Sequence, residues 1–183
     1  GGGANWGDAM SLTNALASAS NNDDIWLAQG TYTNADGMST NFDVTGFFTT
    51  NAFHISANDL TLYGGFTNGM TTLAERDWDA YPTILDGGAV SDSSRRRVLM
   101  VTANTTLDGL IITNGIGWSG PGIYANGSYD VTIRNCRIVE CHLVNNNGSG
   151  PHGHAVYFNG GTVSISNTVF AGNGAPYNSD RYN

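Results

Sequence analysis

Lysine is absent from the sequence: all seven basic residues are arginine, set against 15 acidic ones, for a formal net charge of −8. A strongly acidic chain without lysine lacks the cationic face that nucleic acids and anionic membranes attract, so neither is expected as a partner. Charged residues of both signs are scarce at 12% of the chain, about half the usual share. Long apolar runs are missing too. No stretch approaches the roughly 20 residues of a membrane-spanning helix, so no membrane insertion is expected of this segment. The two cysteines, Cys136 and Cys141, are too few for a disulfide framework or a four-ligand zinc site. Five residues apart, they pair only if the chain bends sharply between them; otherwise they are buried free thiols, and both alternatives stay open. There is no initiator methionine or signal peptide, and Gly1-Gly2-Gly3 and Asp180-Arg181-Tyr182-Asn183 read as the ends of a fragment of a longer protein.

What fills the space is glycine, 25 residues of it, with Asn, Ser and Thr, while hydrophobic residues keep a 40% share. Gly and Asn supply the left-handed backbone of repeated turns, so the composition points to a turn-rich β protein. One helix is expected from Asp8 to Ser20, where Ala9, Leu12, Ala15, Leu16 and Ala19 share a face. It is placed as a lid over the first strand edge. Short strands follow at Ile25 to Ala28, Phe53 to Ile55, Leu60 to Tyr63, Thr83 to Leu85 and Val98 to Val101, each closed by turn residues.

Three segments superpose without gaps, beginning at Asp108, Asn135 and Asn167 and thus 27 and 32 residues apart. Each has an apolar residue three positions on (Ile111, Ile138, Phe170) and Asn or Cys three beyond that (Asn114, Cys141, Asn173). A second register matches Ile123 with Val156, Tyr124 with Tyr157 and Asn126 with Asn159. A repeat of roughly 30 residues favours stacked coils that bury one another's apolar faces. Ile111, Ile138 and Phe170 are then the core stack, and the Asn, Asp and Cys positions form a structural ladder at the bends. The expected fold is all-β: a right-handed parallel β-helix, a single solenoid with a short N-terminal capping helix. Residues 1–183 form one domain, with the cap helix and first strand in 1–30, early coils with long loops in 31–104 and regular coils in 105–183.

Certain stretches carry a family likeness. They are Asp24-Ile25-Trp26-Leu27-Ala28-Gln29-Gly30-Thr31-Tyr32, Leu62-Tyr63-Gly64-Gly65-Phe66, Glu75-Arg76-Asp77-Trp78, Thr83-Ile84-Leu85-Asp86-Gly87 and Leu107 to Gly115. Phe170 to Asn173 fits a Phe-x-x-Asn repeat element, and Gly153-His154-Ala155-Val156 a degenerate partner of it. On these residues the chain resembles bacterial right-handed parallel β-helix surface proteins, akin to the polymorphic outer-membrane proteins and to those with choice-of-anchor sorting domains. The likeness implies an exported protein of the cell surface or extracellular space. Its duty would be structural or adhesive and non-enzymatic, its partners further coils or copies of itself, assembled end to end into fibres, or surface glycans.

The competing class is a polysaccharide-binding or polysaccharide-degrading protein, a lyase or hydrolase, which needs clustered carboxylates, with calcium as the cofactor for a lyase. Its candidates are Asp77, Asp79 and Asp86 with Arg76 or the run Arg95, Arg96, Arg97. Turn chemistry accounts for the three aspartates, and a solvated loop for the arginine run. Within the repeats only Asp108, Asp130 and Glu140 are acidic, too sparse for an evident catalytic pair. No catalytic residue, metal ligand or cofactor is therefore assigned. His152 and His154 lack a third ligand nearby. Of Trp6, Trp26, Trp78 and Trp118, Trp26 is expected in the core and Trp118 is the better exposed sugar platform. Asn104, Asn126 and Asn147 head glycosylation sequons, a pattern that Asn- and Ser-rich chains also produce by chance.

Overall fold

The computed structural model describes residues 5–33, 51–88, 96–117, 119–144, 153–174 and 176–177. After a 3₁₀ turn at Trp6–Asp8 comes α1 (Leu12–Ser18), then β1 (Asp24–Ala28), β2 (Gly30–Thr33) and β3 (Asn51–Ile55). The next strands are β4 (Leu60–Phe66), β5 (Thr83–Asp86) and β6 (Arg96–Val101). β7 (Thr105–Asp108), β8 (Leu110–Thr113), β9 (Ile116–Gly117) and β10 (Ile123–Asn126) follow. Then come β11 (Val131–Arg134), β12 (Arg137–Val139), β13 (His142–Val144) and β14 (Val156–Asn159). β15 (Val163–Ser166), β16 (Val169–Ala171) and β17 (Pro176–Tyr177) are the last.

The single right-handed solenoid expected from the repeats is corrected here. The protein is mostly β with one α-helix, but its strands are divided among separate sheets of five, seven and five strands. The first runs β1-β4-β7-β11-β15 and the second β16-β12-β8-β5-β2, parallel throughout. In the third, β6 takes β3 and β10 as parallel partners and meets β9 antiparallel at Arg96 and Ile116. Two strands per repeat feed it later on, β9 with β10 and β13 with β14. The strands of the first sheet begin at residues 24, 60, 105, 131 and 163, so a spacing of roughly 30 holds only among the later ones. Unequal connections and register shifts within β1 and β3 against their partners break the uniformity that one winding would need.

The helix is shorter than the periodicity suggests. Ser11 caps it, its hydroxyl accepting from the Asn14 amide, and Ala19 ends it in extended backbone. Its apolar face delivers Leu12 and Leu16 to the core cluster, at the end where β1 to β3 lie.

Between the sheets lie three rows of apolar side chains, fixed by strand pairing: Leu62, Leu107 and Ile133; Leu85, Ile112 and Ile138; Phe53, Leu99 and Ile123. All are buried. The next member of each row is not. Ile165 is 46% exposed and Phe170 43%, and Val156 is half-buried. Three of the four exposed large hydrophobic side chains among the described residues, Ile165, Val169 and Phe170, sit on β15 and β16. One end of the stack is thus covered by α1, while the other presents its core row to solvent.

The core stack expected from the repeat is one residue out in its first member. Ile138 faces Ile112, while Ile111 pairs with Arg137 and lies half-buried on the other face. Strand faces alternate, so a one-residue slip exchanges inside for outside.

Candidate functional site

The polar side chains at the bends and outer faces are where function would have to reside, and most have local partners. Because Leu62, Leu107 and Ile133 point inward, their neighbours Tyr63, Asp108 and Arg134 form a row on the outer face of the first sheet. An outward Asp would ordinarily be solvated, yet the Asp108 side chain is only 1% exposed. The connection between β4 and β5 folds back over it. Arg76 Nη2 donates to Asp108 Oδ2 at 2.8 Å, Arg134 Nε to the same oxygen at 2.6 Å, and Asn135 Nδ2 to Oδ1 at 2.8 Å. The Arg76 guanidinium lies 4.9 Å from the Tyr63 ring centroid and 5.0 Å from that of Trp78. Burial pushes the Asp108 carboxyl up, but the hydrogen bonds from Arg76, Asn135 and Arg134 outweigh it and hold it below its ordinary value.

The same connection docks on Gly65, and Gly64 beside it is closely packed too. Gly65 has φ +90 with the Trp78 backbone against it, and Gly64 has no space for a side chain, since a Cβ there would collide with the Gly109 carbonyl oxygen. Gly64→Ala is expected to cost about 1–3 kcal/mol, the usual range for forced overpacking, because the obstacle is backbone. Thermal unfolding reads it, and an unchanged midpoint would show that the Gly109 backbone can move aside at no cost.

The bends carry side-chain ladders. In one, Asn135 donates to Asp108 and Asn167 Nδ2 donates to Asn135 Oδ1 at 2.7 Å, joining three residues predicted for the ladder. The other three are not joined in that way. The left-handed positions at the second bend are Asn114, Glu140 and Gly172, not Asn114, Cys141 and Asn173. Asn114 donates to Asp86, while Asn173 accepts from the Cys141 amide and donates to the Ile138 carbonyl.

A further ladder was not foreseen. Asn21 Oδ1 accepts from the Asn58 amide, Asn58 Oδ1 from Asn104, Asn104 Oδ1 from Asp130 and Asp130 Oδ1 from Thr162. Its signal was present: an Asn or Asp one to three residues ahead of four strands of the first sheet. Each link satisfies an amide at the bend that no sheet partner reaches.

The carboxylates proposed for catalysis are committed locally. Asp77 Oδ1 accepts from the Asp79 and Ala80 amides, and Asp86 accepts from Gly88 and Asn114. Asp79 is exposed in the same turn, and Arg76 belongs to Asp108. Among the described residues, no three His, Cys, Asp or Glu side chains come together as a metal site. Arg97, expected in a solvated loop, is instead buried in β6; its Nε donates to the Ser119 carbonyl at 2.9 Å and its guanidinium lies 4.1 Å from the Tyr124 ring centroid. His154 is exposed, with Nδ1 3.0 Å from the Gly174 carbonyl oxygen.

Cys136 and Cys141 are free and buried, and burial raises each thiol to about 11, which keeps both protonated at neutral pH. Asn104 is held at both ends of its amide, donating to Asp59 as well as accepting from Asp130. Asn126 is exposed and accepts from Asn159. Trp26, expected in the core, is half-buried, as are Trp6 and Trp78. Arg95, Trp118, Asn147 and His152 lie outside the described residues, as does the side chain of Arg96.

No protein-family model, no curated protein and no solved structure matches the chain.

Proposed function

We propose that the chain is a non-enzymatic structural or adhesive module of the cell surface or extracellular space, and that it associates with a second copy through the exposed apolar side chains of β15 and β16. The extracellular setting rests on the sequence resemblance. Self-association rests on one observation: Ile165, Val169 and Phe170 are exposed at the layer where three buried apolar rows stop. Aligned with them are the outer edges of β14, β15 and β16, whose backbone groups can pair with another chain.

Light scattering coupled to gel filtration tests this at concentrations up to roughly 100 μM, where a contact of even micromolar affinity is filled. A dimer is expected, and Ile165→Ser with Phe170→Ser should return it to monomer with its circular dichroism intact. A wild-type monomer throughout that range, or a dimer indifferent to the double substitution, overturns the proposal.

A further inference from the structure

Where α1 meets the first strand edge, the packing leaves a cleft of about 640 Å³, within the roughly 300–1,000 Å³ of small-molecule sites. Its lining includes Trp6, Met10, Trp26 and Tyr32, with Asp23 and Asp24. The aromatic rings are held in place. Trp26 stacks on the fully buried Phe66 with centroids 4.6 Å apart and planes 7° from parallel. Trp6 leans on the same ring at 5.9 Å and donates from Nε1 to the Met70 carbonyl at 2.6 Å. The Tyr32 hydroxyl donates to the Ala28 carbonyl. Asp24 and Trp26, two residues apart on β1, project from one face of the strand.

The electrostatics of the cleft have one sign. Among the described residues, no Arg or His lines it, and the chain has no lysine. Asp23 spends one oxygen on the Ser20 amide, while the Asp24 side chain is exposed. Fixed aromatic faces are electron-rich, and nearby carboxylates add to the negative potential. Such a site disfavours anions and lacks the cationic donors that acidic sugars need. It suits a cation with an apolar coat.

We infer that this cleft binds a small organic cation bearing a methylated ammonium group, held against Trp26 and Trp6 with Asp24 as counter-charge. The site lies at the end opposite the proposed pairing face, so the two proposals stand or fall separately.

Choline and its uncharged isostere 3,3-dimethylbutan-1-ol differ in charge at nearly constant shape, and titrating both into the full chain isolates the cation. Tryptophan fluorescence and calorimetry are expected to show saturable choline binding, with the isostere at least about tenfold weaker, the equivalent of 1.4 kcal/mol. Asp24→Asn, an exposed substitution that leaves the packing alone, should weaken choline several-fold, and Trp26→Leu should weaken it further. Equal binding of both compounds would mean an apolar cleft without cation selectivity and overturns the inference. So does the absence of saturable choline binding, tighter binding of a neutral oligosaccharide, or a wild-type affinity in Asp24→Asn.

Discussion

Replacing Asp108 with alanine is expected to cost about 3–5 kcal/mol of folding stability, the usual result of removing one partner from a buried ion pair. The carboxylate is the single acceptor that three donors share. Without it, the Arg76 guanidinium, its side chain 11% exposed, keeps its charge in a largely desolvated position between two aromatic rings. Arg134, at 43% exposure, can turn to water and should suffer less. The loss therefore falls chiefly on the connection that Arg76 pins down, and Arg134→Ala should be much the milder change. Urea unfolding at neutral pH measures both, and an Asp108→Ala protein within about 1 kcal/mol of wild type would show that the cluster is incidental. The pH dependence has a definite sign. Asp108 has a folded-state pKa below its unfolded one, so its contribution is present in full above the unfolded value near 3.9 and is lost as pH falls through the folded value. Acid should thus narrow the gap between wild type and Asp108→Ala, and a gap that stays constant down to pH 2 would contradict the assignment.

Asp108 also explains how much of the architecture could be read in advance. Strand positions were legible because buried alternation leaves a period of two: Leu60 and Leu62, Thr83 and Leu85, and Val131 and Ile133 each announce a strand face. The pairing of Ile123, Tyr124 and Asn126 with Val156, Tyr157 and Asn159 was legible too, and it coincides with the register of β10 on β14. The Asp108 repeat misled by one residue. Backbone pairing sets Arg134 opposite Asp108, so Asn135 lies opposite Gly109. Both take the left-handed conformation at the bend, Gly109 at φ +74 and Asn135 at +54. Asp108 reaches the Asn135 amide from the preceding position. Aligning like with like therefore matched side chains that touch, not backbones that pair, and carried Ile111 and Asn114 one residue out of the rows of Ile138 and Cys141. The separation into sheets was hidden for a different reason. Nothing local in Arg96 to Val101 declares that β6 will serve two parallel partners and one antiparallel one. The clefts and covered faces were equally out of reach, because Trp6, Trp26 and Phe66 meet only after distant segments have docked.

The register gives the second large effect and a matched control beside it in the chain. Ile112→Ala is expected to cost about 2–5 kcal/mol, and Ile111→Ala about 1 kcal/mol or less. Chemistry, β-propensity and unfolded-state effects are nearly identical for the two substitutions, so their difference isolates burial. Ile112 is fully buried, stacked between Leu85 and Ile138, where deleting three carbons leaves a cavity among residues of neighbouring strands that cannot close around it. Ile111 stands between Ile84 and Arg137 on the other face, where Ile84 is itself half-buried and Arg137 exposed, so solvent and flexible side chains fill the gap. Equal costs would mean that neither face of β8 is the core face. A reversed order would restore the gap-free repeat alignment and with it Ile111 over Ile138. The measurement thus bears on more than one strand, since β5, β8, β12 and β16 share a single register and one slipped pair displaces every apolar row they build.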